Sequence, residues 1–325
     1  MTRWPFRDNM HYEAVSDRVL LHTPDEDFFY ISRHAPVATG GMGCLLRGWS
    51  LKDNRQVAIK RIHDKYANIP EIRNRARAEA KLVFRHQNLI EMLGMVESKT
   101  GKGPIFIISN YVVGSNIDSF IRTNLSTSNF KEIEREQKIV TMILPVVEAL
   151  RYIHAYNIFH LDIKPSNIMV ENGRNVRLMD LGIAMTHNIS AELAKEQHDG
   201  GGTGTNLMGT PRYAAPEQFG LPNFGEVSNK SDIYELGITL YELLTEDNPF
   251  NGLSLADSMQ KHKELVLPKH ELVSPHLMEI LRRASSPHQN NRYQNVEELI
   301  EDLNKFLTNR ANENWRKKFL KKFGF

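Results

Sequence analysis

His160-Leu161-Asp162-Ile163-Lys164-Pro165-Ser166-Asn167 puts a carboxylate, a lysine and a carboxamide on one short segment. A general base needs a carboxylate on a rigid loop with a metal ligand at a fixed distance, and Asp162 and Asn167 supply both in the spacing D-x-x-x-x-N. A second acidic ligand follows in Asp180-Leu181-Gly182, where the glycine lets the backbone turn sharply after the metal site. Mg²⁺ takes one or two protein oxygens and completes its shell with phosphates and water, a demand that Asn167 and Asp180 meet.

On the N-terminal side, residues 28–113 hold short β-like runs separated by turn residues: Phe28-Phe29-Tyr30-Ile31, Cys44-Leu45-Leu46, Gln56-Val57-Ala58-Ile59-Lys60 and Ile105-Phe106-Ile107-Ile108. One helix interrupts them over 70–84, where Ile72, Ala76, Ala80, Val83 and Phe84 recur at helical spacing behind Pro70. From about residue 115 the period changes. Ile139, Ile143, Val146, Val147, Leu150 and Ile153 keep an i, i+3, i+4 pattern, and further helices are predicted over 230–245, 255–263, 275–284 and 296–308. Pro145 falls inside the first of these patterns and predicts a kink or a lost hydrogen bond, at about 3 kcal/mol unless packing offsets it.

Composition bounds the function. The 325 residues, 41% hydrophobic and 25% charged, suit a globular chain. A net charge of +2 gives too weak a field to argue for nucleic acid as a partner. The single cysteine, Cys44, excludes an internal disulfide and fits a reducing, cytoplasmic compartment. Residues 1–7 lack the apolar core of a signal peptide, and no run approaches the ~20 apolar residues of a spanning helix. The expected partners are therefore protein substrates, with no nucleic acid and no transmembrane segment.

Three further motifs complete an ordered set: Ala38-Thr39-Gly40-Gly41-Met42-Gly43-Cys44-Leu45, then Val57-Ala58-Ile59-Lys60, and downstream Gly209-Thr210-Pro211-Arg212-Tyr213-Ala214-Ala215-Pro216-Glu217. With the Asp162 loop and Asp180, they resemble the eukaryotic-type Ser/Thr protein kinase family over roughly residues 30–308, with a bacterial look. The resemblance implies an α+β, bilobal fold: a β-rich N-lobe with one helix over 28–112 and a mainly helical C-lobe over 113–309, flanked by an N-terminal extension (1–27) and a C-terminal tail (310–325). It implies ATP and Mg²⁺ as cofactors. Asp162 becomes the base for a Ser or Thr hydroxyl, Asn167 and Asp180 the Mg²⁺ ligands, and Lys164 the γ-phosphate contact that marks Ser/Thr specificity. Lys60 reaches the α- and β-phosphates, with Glu79 as its partner on the 70–84 helix and Glu71 as the alternative. Ala38, Thr39, Gly40, Gly41, Met42, Gly43, Leu45, Ala58 and Met169 line the nucleotide, and Asn110 and Val112 bond adenine beside a small gatekeeper, Ser109. His160 ties the loop to Asp180, Asp232 supports the loop backbone, and Glu217 needs an ionic partner, for which Arg292 is placed.

Departures from the family pattern matter as well. Ala38 stands where the first glycine of the phosphate loop is usual, and Leu161 replaces the arginine that senses activation-segment phosphate. Activity independent of phosphorylation at Thr203 and Thr205 is the expectation. Two other functions share much of this pattern: a catalytically silent pseudokinase acting as a binding module, and a small-molecule kinase. The basic stretch 315–323, with Trp315, Phe319, Leu320 and Phe323 at helical spacing, suits docking on the chain's own surface, a partner or an acidic membrane.

Overall fold

The computed structural model describes residues 11–39, 43–80, 84–98, 102–126, 132–180, 185–186, 209–221 and 223–322; side chains from 310 onward are outside that description, as are those of Glu71 and Glu79. The chain divides into two compact units at the step from Val113 to Gly114.

The first unit is a strongly strand-rich layer. Strands β1 (His11–Val15), β2 (Arg18–His22), β3 (Asp27–Ile31), β4 (Ala38–Thr39), β5 (Gly43–Ser50), β6 (Gln56–Ile62), β7 (Met92–Glu97) and β8 (Ile105–Asn110) form one antiparallel sheet. Its order is β1-β2-β3-β5-β6-β8-β7, with β4 hydrogen-bonded to β5. Alternation along β8 explains the two faces: Phe106 and Ile108 pack with Leu21, Phe28, Leu46, Val57, Ile59 and Val96, whereas Ile105 and Ile107 pack with Ile62, Ala67, Ala76 and Met95. The second face is covered by two helices, α1 (Asp64–Ala67) and α2 (Pro70–Ala80). Gly43 is required where β5 crosses β6, since a Cβ there would lie 2.3 Å from the Arg61 carbonyl oxygen.

Residues 11–22, set apart in the sequence as an extension, instead form a hairpin on this sheet. β2 pairs with β3 along its length, and Leu21 is wholly buried in the core. The run is interrupted by polar residues and a Ser16 turn at φ 58°, so no long apolar alternation marks it.

The second unit is mainly helical. Its helices are α3 (Ile117–Asn124), α4 (Glu132–His154), α5 (Asn229–Thr245), α6 (Leu255–Lys263), α7 (Pro275–Ala284) and α8 (Val296–Lys322). Asn116 caps α3 by accepting from the Ser119 N–H at 2.8 Å. Helix α5 is buried almost throughout, from Ser231 to Thr245. Helix α4 runs unbroken through Pro145, because Ile143, Val146, Val147 and Leu150 are fully buried around it; core packing of this extent offsets a lost backbone bond. Helix α8 extends past the predicted end at 308 and takes the backbone of the basic tail with it to Lys322.

Short strands frame the loops of interest. β9 (Gly114–Asn116), β11 (Ile168–Glu171) and β12 (Asn175–Leu178) form an antiparallel sheet in the order β12-β11-β9, and β10 (Ile158–Phe159) pairs with β13 (Met185–Thr186). Among the described residues no helix is long and apolar enough to cross a membrane.

Candidate active site

Between β10 and β11, residues 160–167 form a loop whose backbone is held almost entirely by side chains from elsewhere. Asp232, in the first turn of α5 and fully buried, accepts the N–H groups of His160 and Leu161, each at 2.8 Å. One turn later Glu235 accepts the Ile163 N–H at 2.7 Å. Thr239 donates its hydroxyl to the Ile163 carbonyl at 3.0 Å, and Gln218 donates to the Leu161 carbonyl at 3.1 Å. Leu161 sits in the left-handed region at φ 61° and is wholly buried. That conformation costs a leucine roughly 1–2 kcal/mol, and it persists because both its peptide groups are fastened. The arrangement presents the next residue, Asp162, on a rigid frame.

Every oxygen of the Asp162 carboxylate is engaged. Oδ2 accepts from Lys164 Nζ at 2.7 Å and from Asn167 Nδ2 at 3.0 Å, while Oδ1 accepts from the Thr210 hydroxyl at 2.6 Å. Lys164 also donates to Thr210 Oγ1 at 2.6 Å. Asn167 lies on a short 3-10 turn, Pro165–Asn167, and its amide nitrogen is further committed to the Asp162 carbonyl at 2.8 Å. Both of its amide hydrogens thus face Asp162, which leaves the amide oxygen as its ligating atom.

Asp180 follows β12 in a left-handed conformation, φ 61°, and is half-buried. His160 Nε2 bonds the carbonyl of Met179, the residue before Asp180, at 2.8 Å, and the Met179 N–H donates to the Asn167 carbonyl at 2.8 Å. The loop and the Asp180 turn are therefore tied by backbone contacts, with His160 as one of the ties. Among the described residues no group of three or more His, Cys, Asp or Glu side chains forms a closed metal cage. A hard cation that shares its shell between Asn167, Asp180 and phosphate oxygens suits such a sparse donor set.

Beneath the loop, the Pro216–Phe219 3-10 turn brings Glu217 against Arg292, Oε1 to Nη1 2.6 Å, with both side chains fully buried. Gln218 bridges the turn to the loop, since its Nε2 also donates to Glu235 Oε1 at 2.9 Å while its Oε1 accepts the Ala215 N–H at 2.7 Å. Burial pushes the Glu235 carboxyl well above the ordinary glutamate range, and the neighbouring Asp232 and Asp162 charges add to that push. The Gly209 backbone reaches φ 102°, and a Cβ there would lie 2.6 Å from the Leu161 carbonyl oxygen.

In the first unit, Lys60 stands on β6 opposite Leu45 and Ile107, so the lysine strand adjoins the strand that leaves the glycine-rich stretch. Ala58 lies opposite Arg47 and Ser109, and Ala38 and Thr39 form the short β4 against Leu45 and Cys44. Asn110 ends β8, its N–H donating to the Glu91 carbonyl at 3.1 Å, and Val112 follows half-buried. In the second unit Met169 lies on β11 opposite Asn116 and Arg177. Gly40, Gly41 and Met42 lie outside the described residues, as do Thr203 and Thr205. Glu79 is on α2, with its side chain outside the description.

Sequence reasoning missed Thr210, Gln218, Glu235 and Thr239 as parts of the site. Glu235 left a signal, an acid one helical turn from Asp232 in a helix rich in apolar residues. Thr210 and Gln218 left none that sets them apart from their surroundings, because the partners that place them in the site, Asp162 and the Leu161 carbonyl, are more than forty residues away.

Known proteins resemble this chain in sequence. A family model described as "Protein kinase domain" matches residues 31–314. Serine/threonine-protein kinase PknB of Mycolicibacterium smegmatis is 31% identical over 276 residues, covering 81% of this chain and 41% of the relative. PknB of Mycobacterium tuberculosis (strain H37Rv) is 30% identical over 271 residues, with 81% and 41% covered. Serine/threonine-protein kinase PrkC of Bacillus subtilis is 28% identical over 285 residues, with 85% and 40% covered. The chain thus spans about two fifths of the length of these curated relatives. A matched segment that takes in the Asp162 loop, Asp180 and the Glu217–Arg292 pair assigns this chain to the protein kinase domain family.

Proposed function

We propose that this chain is a bilobal Ser/Thr protein kinase that transfers the γ-phosphate of ATP, with Mg²⁺, to Ser or Thr hydroxyls of protein substrates. One observation carries the reading. A threonine hydroxyl already donates to Asp162 Oδ1 at 2.6 Å, with Lys164 Nζ 2.6 Å from the same hydroxyl oxygen. A substrate hydroxyl placed there would meet a base and a cation together. Asp162 would orient the acceptor and take its proton, an effect worth roughly 10²- to 10⁴-fold. Lys164 would hold charge on the transferred group, and Lys60 would do the same for the α- and β-phosphates with Glu79 as its partner. Asn167 and Asp180 would hold Mg²⁺, which when bound neutralises charge on the ATP phosphates.

Asp162→Ala is expected to abolish radiolabelled phosphate transfer to a protein substrate while ATP binding, read by a Mg²⁺-dependent thermal shift, persists. Full transfer by that variant would sink the assignment of the base. A wild-type chain that binds ATP and transfers nothing would make it a binding module, and phosphorylation of small alcohols in place of protein would make it a small-molecule kinase.

A further inference from the structure

Helix α6 presents one side chain to the segment that carries Thr210. His262 is wholly buried, its Nε2 is 2.8 Å from the Pro211 carbonyl oxygen, and its Nδ1 is 2.6 Å from the Tyr234 hydroxyl. The ring is stacked on Phe250, with centroids 3.7 Å apart and planes 16° from parallel, and Phe219 and Tyr234 close the other sides. Burial lowers the imidazole pKa to about 3, so the ring is neutral in the physiological range, with one donor nitrogen and one acceptor. A carbonyl can only accept, so the proton is on Nε2. Nδ1 then accepts, and Tyr234 donates.

The consequence is a directed relay with one reading. Tyr234 lies on α5 under the Arg292 guanidinium, 4.8 Å from the ring centroid, and Arg292 is locked to Glu217. The relay therefore begins beside the buried Glu217–Arg292 pair and ends on Pro211. The next residue back is Thr210, whose carbonyl accepts the Tyr213 and Ala214 N–H groups at 2.9 and 3.1 Å, closing a tight turn. That turn fixes where the Thr210 hydroxyl stands relative to Asp162 and Lys164. A polar bond to the Pro211 carbonyl of the turn sets its position more sharply than the surrounding apolar contacts, which tolerate sliding.

We propose that His262 is a positioning residue for the protein substrate: by gripping the Pro211 carbonyl through Nε2–H, it sets the Thr210–Pro211 segment that an incoming acceptor must dock beside. The role rests on the kinase reading above. It concerns the acceptor and not ATP, so it separates the two Michaelis constants.

The test uses the full chain, Mg²⁺-ATP and casein as the protein probe. His262→Phe keeps the stacking on Phe250 and removes both polar bonds, and is expected to raise the KM for casein about tenfold with the KM for ATP within about twofold. His262→Gln puts an amide nitrogen where Nε2 was, and is expected to stay within about threefold of wild type for casein. Equal losses towards ATP and casein, or a Gln variant no better than Phe, would overturn the role. Should His262→Phe fail to fold, Tyr234→Phe reads the same relay: a casein KM raised about threefold at constant ATP KM supports it, and an unchanged casein KM overturns it. Wild-type chain that phosphorylates neither casein nor itself sinks the kinase reading and the role together. Active wild type with variants indistinguishable from it sinks the role alone.

Discussion

Arg292 meets Glu217 through two parallel bonds, Nη1 to Oε1 at 2.6 Å and Nη2 to Oε2 at 2.9 Å, and its remaining N–H groups go to the carbonyls of Ser286, Lys230 and Pro287. All five donors of a fully buried guanidinium are thereby used, and Glu217 gains a further donor in the Ser231 hydroxyl. Buried ion pairs of this kind are weak contributors as pairs and severe liabilities as halves. Arg292→Met is expected to destabilise the chain by about 3–5 kcal/mol, because it strands the Glu217 carboxylate. Glu217→Leu/Arg292→Met should recover part of that loss in urea unfolding. A double variant no more stable than the single would contradict the account.

A second ionic cluster holds α2, the helix from which the proposed ATP site would draw Glu79. Glu97, at the end of β7, is bound by Arg73 and Arg77 of α2, the latter at 2.6 Å, and Arg73 also donates to the Gly103 carbonyl at 2.9 Å. The Arg73 side chain is only 6% exposed, so loss of its carboxylate cannot be repaired by water. Glu97→Ala is expected to cost about 3 kcal/mol and to loosen the helix that carries Glu79. A raised KM for ATP should accompany the lower melting temperature. A variant as stable as wild type would show that α2 is held by its apolar face alone.

Glu235 makes stability depend on pH in a direction opposite to that of most carboxylates. Its folded-state pKa lies well above the ordinary value of 4.5, chiefly through burial. Folded chain then binds more protons than unfolded chain in the interval between those two values, so stability falls as pH rises through it and stays lower above. Glu235→Gln carries no titrating proton there. The stability of the Gln variant relative to wild type is therefore expected to grow as pH climbs from 4.5 towards neutrality, whatever its offset from a changed contact with Gln218. Parallel pH profiles for the two chains would contradict the burial argument.

The parts of this molecule that were legible in sequence are those whose signal is local. The Asp162–Asn167 spacing, the β6 lysine strand and the apolar periodicity of α4 and α5 each lie within one element. Asp232 and Arg292 were placed through family resemblance, and both make the contacts expected of them. What stayed hidden depends on long-range registration. The hairpin of β1 and β2 has a fragmentary apolar pattern and is defined by its pairing to β3. His262 is one of 13 histidines, and only the approach of α6 to Pro211 gives it a role. Tertiary contact, not local propensity, decides such residues.

Control by activation-segment phosphate is the remaining question that the loop itself addresses. In the family pattern an arginine before the base gathers that phosphate, and here Leu161 fills the position with its side chain wholly buried. A leucine offers no charge-assisted bond. The descending part of the segment is instead fastened to the loop and to α5 and α6: Thr210 to Asp162, Gln218 to the Leu161 carbonyl and to Glu235, and the Pro211 carbonyl to His262. None of these needs a phosphate to form. Thr203→Ala/Thr205→Ala is accordingly expected to keep transfer to an exogenous protein within about threefold of wild type, since Leu161 offers a phosphate on either threonine no charge-assisted bond. Collapse of transfer in that variant, restored by acidic substitutions at the same positions, would mean that a cation other than residue 161 gathers the phosphate.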